Sequence, residues 1–349
     1  MLAAGINPVM PSEGLKVAVT GPSGDLGIAI VNSLERSRRV KKVVGMARRP
    51  FDPGELGWKK TEYRRGDVTD AASVRELVKG ADAVVHLAFA VLSASEATHE
   101  LNVDGSRLVF DEAAKAGAER ICYASSVAAY GFHDDNPDWL TEEIPPRGSQ
   151  EHPYSHQKAE VEKVLGEVLL RHPGTVAYAF RPSIVAGPTA RTMLQEIPYY
   201  RLSEAMPEPV RGLLGSMPVL KPVIPDPGVR FQLVHEDDVA SAFLAGVTGR
   251  GNPGPYNLAG KGTLTVSDVA DALGWYSVPV PRLAVEATAE ALTRLPLMPD
   301  SVAWLHSVRK EVLMRTGRAD EQLGWKPKHT AKATLKEMVE AQRAESPEG

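Results

Sequence analysis

A tyrosine and a lysine four residues apart form the part of this sequence best suited to proton chemistry. They begin and end the segment YSHQK, which is Tyr154 to Lys158 and directly follows Pro153. In a helix this spacing places both side chains on one face, one turn apart. A nearby cation favours the ionised form of a phenol, which then exchanges protons more readily near neutral pH. The same spacing also occurs by chance on helix surfaces, so the surrounding elements must distinguish the two cases.

The face that carries this pair continues into apolar residues. A helix over 154–171 would place Val161 and Leu165 in the core and Tyr154 at the cleft end. Just upstream, the segment RICYASS predicts a strand over 120–126 that ends in Ser125 and Ser126. Either hydroxyl could hydrogen-bond a substrate oxygen on which charge develops.

The elements that would position these groups alternate between short apolar strands and helices. Strands nearly continuous in apolar residues, separated by helices, indicate an α/β fold with a doubly wound parallel sheet covered on both faces. The predicted strands are 16–20, 41–47, 61–67, 81–90, 120–126 and 176–185, and the predicted helices are 25–37, 71–79, 95–117 and 154–171.

A glycine-rich turn lies between the first strand and the first helix. The segment TGPSGDLG places three glycines where they allow a tight turn and a close approach of backbone to a pyrophosphate. The helix that follows presents unpaired N–H groups and a positive dipole end to phosphates. This is the pattern of a Rossmann-type dinucleotide site. The predicted phosphate-binding residues are Gly21, Ser23, Gly24, Asp25, Leu26 and Gly27.

The end of the second strand bears on which nicotinamide cofactor binds. Arg48 and Arg49 stand there, and that turn has no acidic residue to bond an adenosine ribose. Arginine favours the 2′-phosphate of NADP, with NAD as the other possibility. Asp67 and Val68 follow the third strand, where a carboxylate could meet the adenine amino group or merely cap its own loop.

The alternation breaks after Pro188. Residues 188–230 are dense in proline, leucine and methionine, the pattern returns at 231–260, and the tail is predicted to be mostly helical. We therefore predict a dinucleotide-binding domain of residues 13–187, to which 231–260 returns. A smaller, mostly helical C-terminal substrate-binding domain would consist of 188–230 and 261–345.

Taken in order, the motifs resemble those of the extended short-chain dehydrogenase/reductases, the NAD(P)-dependent epimerase/dehydratase family. The resemblance covers nearly the whole chain and rests on TGPSGDLG, GDVTD, VVHLAFA, NVDGSRLVFDEA, YASSVAAYG, YSHQK, FRPSIVAGP and VHEDDVA. It implies catalysis by Ser126, Tyr154 and Lys158. Ser126 is preferred over Ser125 because the family hydroxyl stands four residues before the tyrosine of AAYG. Lys158 would lower the pKa of Tyr154 and also bind the nicotinamide ribose.

The same resemblance implies further contacts and an assembly. A homodimer would form through the helices near 95–117 and 154–171. The remaining cofactor contacts would come from Leu87, Ala88, Phe89, Asn102, Pro182, Ser183 and Ile184.

Departures from the family pattern narrow the reaction. Val127 and Ala128 stand where dehydratases carry an Asp-Glu pair, which argues against dehydration. Ser183 and Phe231 replace an asparagine and an arginine of nucleotide-sugar epimerases, and 188–225 is apolar. We therefore expect an NADP-preferring oxidoreductase that interconverts a secondary alcohol and a ketone on a small or apolar substrate. The alternative is epimerisation of a sugar or nucleotide sugar through a transient ketone; a protein that only binds the dinucleotide would be expected to have lost the triad.

Composition limits the partners and the compartment. The net charge is −4 and no long run of like charge occurs, so a small-molecule substrate is expected, with no nucleic acid and no membrane. The single cysteine, Cys122, and the absence of a signal-like start suggest a reducing, cytoplasmic setting. No metal site is predicted, because the histidines lack metal-ligand spacing: His86, His133, His152, His156 and His235.

Overall fold

The computed structural model describes residues 14–91, 96–190, 223–281 and 310–345. Their centre is a seven-stranded sheet of order β3-β2-β1-β4-β5-β6-β10, and all its pairings are parallel. This confirms the predicted doubly wound sheet. The strands of this sheet are β1 (Leu15–Thr20), β2 (Val40–Ala47), β3 (Thr61–Arg65), β4 (Ala83–His86), β5 (Arg120–Ala124), β6 (Val176–Pro182) and β10 (Gly254–Leu258).

Helices cover both faces of the sheet. On one face Ile30, Leu34 and Phe243 belong to a buried cluster with Val17 and Val85, which joins α1 and α6 to the sheet. On the other face α2, α4 and α5 pack on a second cluster. The helices are α1 (Asp25–Arg36), α2 (Ala71–Val78), α3 (Glu96–His99), α4 (Gly105–Lys115), α5 (Pro153–Arg171), α6 (Glu236–Val247), α7 (Val266–Leu273) and α8 (Ala331–Glu345).

Local chemistry sets where these helices begin. The Asp70 carboxylate accepts hydrogen bonds from two backbone N–H groups in the first turn of α2. Pro153 occupies the first turn of α5, where its missing N–H costs nothing. Thr265 and Asp268 form a capping box at the start of α7. Helices α1, α2 and α5 begin within one residue of the predicted starts. The helix predicted over 95–117 is divided by a π-helical turn at Glu100–Asp104 between α3 and α4.

The strands end earlier than their apolar runs suggest. The run 81–90 forms a strand only over Ala83–His86, because the next backbone N–H groups turn to the Thr20 hydroxyl. The run 176–185 is divided at Ser183 into β6 and β7 (Ile184–Ala186). Strand β7 leaves the main sheet and pairs with β9 (Leu233–His235). An apolar run shows that a segment is buried but not which partner it pairs with.

The described part of the smaller domain contains a sheet that was not predicted. Strands β8 (Val223–Asp226) and β11 (Tyr276–Pro279) pair in parallel beside α7. A further apolar cluster includes Leu233, Leu264 and Leu335. Residues 191–222 and 282–309 lie outside the described part, so the domain boundaries remain a prediction. No helix in the described ranges has the length and apolar character that crossing a bilayer requires.

Candidate active site

Ser126, Tyr154 and Lys158 meet where β5 ends and α5 begins. Ser126 caps the short 3-10 turn Val127–Tyr130, and its Oγ accepts a hydrogen bond of 3.1 Å from the Ala128 N–H. Tyr154 lies in the first turn of α5 and is half-buried, while Lys158 is buried one turn further on. The predicted triad is therefore assembled by two neighbouring elements.

The Lys158 ammonium is held by a backbone oxygen and an aromatic ring. Its Nζ donates to the Ala124 carbonyl oxygen at 2.7 Å and lies 3.6 Å from the ring centroid of Phe89. Phe89 also packs edge-on against Tyr154, with 5.5 Å between the ring centroids. Burial lowers the pKa of Lys158 to about 7, against the opposing charge of Glu162. The amine is therefore close to half-protonated at neutral pH.

The Tyr154 phenol differs from the prediction. Burial raises its pKa above the ordinary value, and hydrogen bonding to Ser126 opposes that rise without cancelling it. The Lys158 Nζ lies 5.7 Å from the Tyr154 ring centroid. The net pKa of Tyr154 is therefore raised by burial in this arrangement, opposite to the predicted direction, and the effect of Lys158 on it stays a prediction. The phenol is protonated at neutral pH.

The segment after β4 is held from behind by Asn102. The Asn102 side chain is fully buried; its oxygen accepts from the Ala90 N–H at 2.7 Å, and its nitrogen donates to the Ala90 carbonyl and the Gln157 side chain. It therefore fixes the segment Leu87 to Ala90. The direct cofactor contact predicted for Asn102 remains a prediction.

The glycine turn has the close packing that the sequence predicts. Gly21 has a φ of 72°, which favours glycine. A Cβ on Gly27 would lie 2.2 Å from the Gly21 carbonyl oxygen, and one on Gly21 would lie 3.1 Å from the Ala88 nitrogen. Gly24 is the N-cap of α1 and places no side chain over the helix end. Asp25, Leu26 and the half-buried Ser23 complete this turn. The turn is a cradle that added side chains would fill, and it fits a pyrophosphate.

The two arginines expected at the adenosine end lie beside this turn. The Gly21 N–H donates to the Met46 carbonyl of β2, and Arg48 and Arg49 follow that strand as exposed residues. The Asp67 carboxylate accepts from the backbone and hydroxyl of Thr69, so the loop-capping alternative is what the structure contains. Val68 is buried. Contacts of these residues with an adenosine remain predictions.

The segment after β6 contains the residues that the sequence predicts to contact the nicotinamide. The Ser183 N–H donates to the Leu258 carbonyl at 2.8 Å, which fixes the chain as it leaves Pro182. The Ser183 Oγ is buried and has no hydrogen-bond partner among the described residues, whereas Ile184 is 37% exposed. Buried polar groups are normally bonded. An unsatisfied hydroxyl beside an exposed apolar side chain fits the amide and ring of a nicotinamide.

Two charged residues near the triad, Glu162 and Arg181, were missed by the sequence analysis. Glu162 lies one further turn along α5 and forms a buried ion pair with Arg181 of β6. The signal was present, since Tyr154, Lys158 and Glu162 are each four residues apart. The ion pair could not be predicted from this spacing, because Arg181 lies on a different element.

A second group of titratable residues lies at the start of α6. His235 Nε2 is 3.3 Å from a Glu337 carboxylate oxygen, and its ring stacks on His329 with 3.9 Å between centroids. Because His235 Nδ1 accepts from the Asp237 N–H, Nε2 carries the hydrogen and faces the carboxylate. One nitrogen of His235, one of His329 and an oxygen of Glu337 lie within 4.8 Å of one another, a spacing that a metal ion could bridge. The His235 Nε2 is buried and has no hydrogen-bond partner among the described residues, and the absence of a metal site remains a prediction.

Comparison with known proteins identifies the family. The sequence model of the NAD dependent epimerase/dehydratase family matches residues 17–259, and the chain belongs to this family. An uncharacterized protein, y4nG of Sinorhizobium fredii, is 26% identical over 325 residues, which are 89% of this chain and 74% of that protein. Sterol demethylase protein B of Methylococcus capsulatus is 31% identical over 178 residues, 48% of this chain and 54% of that protein.

A solved structure shows the same fold. MoeE5 in complex with UDP-glucuronic acid and NAD superimposes with a TM-score of 0.70 and 21% identity, over 95% of this chain and 99% of that one. MoeE5 therefore holds NAD within this fold, and the similarity confirms the predicted Rossmann-type fold of this chain.

Proposed function

We propose that this protein reduces a ketone to a secondary alcohol on a small or apolar substrate, with a nicotinamide dinucleotide as the redox partner. The observation that carries the proposal is a protonated Tyr154 beside Ser126, at the cleft end of a parallel sheet whose other loops fit a dinucleotide. A neutral phenol is a proton donor, which is what reduction requires.

Each residue has one task in this reaction. Ser183, Ile184 and Lys158 would hold a reduced nicotinamide, which would supply the hydride for the carbonyl carbon. The Ser126 hydroxyl donates a hydrogen bond to the substrate oxygen as negative charge develops there. Tyr154 gives its phenolic proton to that oxygen, which completes the alcohol. Lys158, close to half-protonated, faces the Tyr154 ring and would return a proton to the phenolate.

The cofactor proposed is NADP, with NAD as the other candidate. Arg48 and Arg49 are exposed at the end of β2, next to the glycine turn, where a 2′-phosphate would lie. The NAD in MoeE5 supports the other candidate. Ser183, Ile184 and Lys158 would hold the nicotinamide end.

Apolar surroundings support the proposed substrate class. Phe89 packs against both Tyr154 and Lys158, and Val127 follows Ser126 where an acidic residue would serve dehydration. Arg230, next to Phe231, is already paired with Glu311 at 2.7 Å. The similarity to a protein named sterol demethylase protein B agrees with an apolar alcohol or ketone.

Epimerisation of a sugar or nucleotide sugar is the second candidate. The family name and the UDP-glucuronic acid bound to MoeE5 favour it. A bound oxidised dinucleotide would take hydride from a carbinol carbon and return it to the other face, while the same triad takes up and gives back the hydroxyl proton. The two candidates differ in their redox balance, because an epimerase retains its cofactor and consumes none.

The decisive experiment follows the cofactor. Nucleotide released from fresh protein is identified, and the stripped protein is titrated with NADPH and NADH. It is then incubated with panels of apolar ketones and of nucleotide sugars. Reductase activity predicts stoichiometric oxidation of NADPH with ketones. Tightly retained NAD, with sugar isomers formed at constant cofactor, would replace this proposal by the epimerase.

A further inference from the structure

Glu162 extends the functional face of α5 by one more turn. Its side chain is 8% exposed, and Arg181 Nε and Nη2 donate to its two oxygens at 2.8 and 2.6 Å. The Ser125 hydroxyl donates to the same carboxylate at 2.5 Å. Charges buried this deeply are stable only when their hydrogen-bonding capacity is satisfied. Here both ions have several partners each.

The residues that bond the Glu162 carboxylate are adjacent in sequence to the predicted catalytic and nicotinamide-binding residues. Ser125 immediately precedes Ser126, and Arg181 immediately precedes Pro182 at the start of the predicted nicotinamide segment. Arg181 also lies 4.6 Å from the ring centroid of Tyr130, whose hydroxyl donates to the Asn257 side chain at 2.8 Å. One carboxylate therefore connects α5 with the ends of β5 and β6.

We propose that Glu162 is a positioning residue for the reaction. Held by Arg181, its carboxylate fixes the strand ends that carry Ser126 and Ser183, and it places a negative charge one turn from Lys158. The role of Glu162 in the reaction rests on the proposed function. The positions of its charge and of the strand ends are independent of that function.

The charged and titratable groups around Lys158 make this testable. From α5 it is faced by Tyr154 and Glu162, from β4 by His86, and from β5 by Tyr123. Among these, Glu162 is the group whose charge raises the pKa of Lys158. Removing the charge should therefore lower that pKa further.

The test is Glu162→Gln with Lys158 itself as the reporter. Trace acetylation by acetic anhydride across a pH series, quantified by mass spectrometry, gives the pKa of Lys158 without any substrate. We expect a downward shift of about one pH unit, at the low end of what a charged neighbour causes. For ketone reduction, the pH above which kcat/KM falls should decrease by the same amount.

A matched control separates this effect from a general loss of charge. Glu167→Gln also removes a helix α5 carboxylate paired with an arginine, Arg107 at 2.9 Å, but on an exposed face. It should leave the pKa of Lys158 unchanged. Glu162→Asp keeps the charge and should keep the wild-type pKa, while its shorter side chain reduces kcat by loosening Ser125 and Arg181.

Two further outcomes keep the test decisive. If Glu162→Gln does not fold with Arg181 unpaired, the double variant Glu162→Gln/Arg181→Met removes both charges and should still lower the pKa of Lys158. An unchanged pKa in either folded variant overturns the inference. Failure of the wild-type protein to turn over any ketone overturns the proposed reductase instead, and the acetylation result stands apart from it.

Discussion

At the scale of single residues, Tyr154 carries the sharpest prediction. Tyr154→Phe removes the proton donor but keeps the ring that packs on Phe89. Because general acid catalysis contributes about 100- to 10,000-fold, kcat should fall by at least about 100-fold. Binding of NADPH, followed by its fluorescence, should be little changed.

A buried tyrosine away from the cleft supplies the control. The Tyr178 hydroxyl donates to the Gly251 carbonyl at 3.2 Å, on the other side of the sheet core. Tyr178→Phe should retain turnover. Near-normal kcat in Tyr154→Phe would remove this phenol from the mechanism.

His86 predicts how stability depends on pH. Its ring nitrogens bond the Thr20 and Ser106 hydroxyls at 2.8 and 2.9 Å, and burial lowers its pKa from 6.5 to about 3. The folded protein therefore keeps His86 neutral where the unfolded chain binds a proton. The resulting stability is complete above pH 6.5 and is lost as pH falls toward 3, by up to about 1.4 kcal/mol per unit.

Comparison with His86→Gln isolates this contribution. Urea unfolding of both proteins at several pH values between 4 and 7.5 gives the cost of the substitution, which is the difference in their free energies of unfolding. That cost should be largest above pH 6.5 and shrink on acidification, since glutamine does not titrate. A cost that stays constant over this range would mean that His86 is not held neutral by the fold.

Residue-scale prediction succeeded where one helix or one turn contains the whole signal. The Tyr154–Lys158 spacing and the glycines of the first turn act locally, so the sequence identified them. The direction of the Tyr154 pKa did not follow from spacing, because burial depends on Phe89 and on elements far along the chain. Glu162 was missed because its partner, Arg181, belongs to β6.

At the scale of elements, the packing of α1 on the glycine turn can be tested with two alanine substitutions. In Gly27→Ala the new Cβ would meet backbone atoms of Gly21 and Pro22 at 2.2 and 2.8 Å, which side-chain motion cannot relieve. We expect loss of NADPH and NADH binding together with lower stability.

Gly166 is the matched position. It lies within α5, and nothing lies within 4 Å of a Cβ built there. Gly166→Ala should raise the free energy of unfolding by about 0.5–1 kcal/mol and leave cofactor titration unchanged. Normal dinucleotide binding by Gly27→Ala would show that the turn does not hold the pyrophosphate.

The sequence predicts which segments are helices or strands better than it predicts where those segments end. Helix starts carry their own chemical markers, such as Asp70 and Pro153, so their positions followed from the sequence. The ends of β4 and β6 depend on competition for backbone hydrogen bonds by Thr20 and by Leu258, which no local pattern reveals. That competition also creates the cleft, since the chain leaves the sheet at these points.

At the scale of the whole molecule, the central sheet explains why residues far apart in sequence meet. Parallel strands place all their carboxyl ends at one edge, so β1, β4, β5 and β6 deliver the glycine turn, Phe89, Ser126 and Ser183 to the same cleft. The crossover helix α5 then brings Tyr154 and Lys158 to that edge. The fold thus determines where the candidate site forms.

The assembly remains a prediction that the surface of α5 makes testable. Helices α4 and α5 pack side by side on one face of the sheet, and Leu170 of α5 is 86% exposed. If the chain forms a homodimer through these helices, Leu170→Glu would place a charge in the interface. Losing one well-buried contact there, at about 1.4 kcal/mol, raises the dimer dissociation constant about tenfold.

Sedimentation velocity over a concentration series measures this. The chain has a mass of 37.6 kDa, so a dimer should sediment as about twice that mass and Leu170→Glu should dissociate at higher concentration than wild type. Leu56→Glu, at a 42% exposed leucine in the turn before β3, is the control and should behave as wild type. Equal dissociation constants for all three proteins would place any dimer interface elsewhere, and a wild-type mass of 37.6 kDa at every concentration would rule the dimer out.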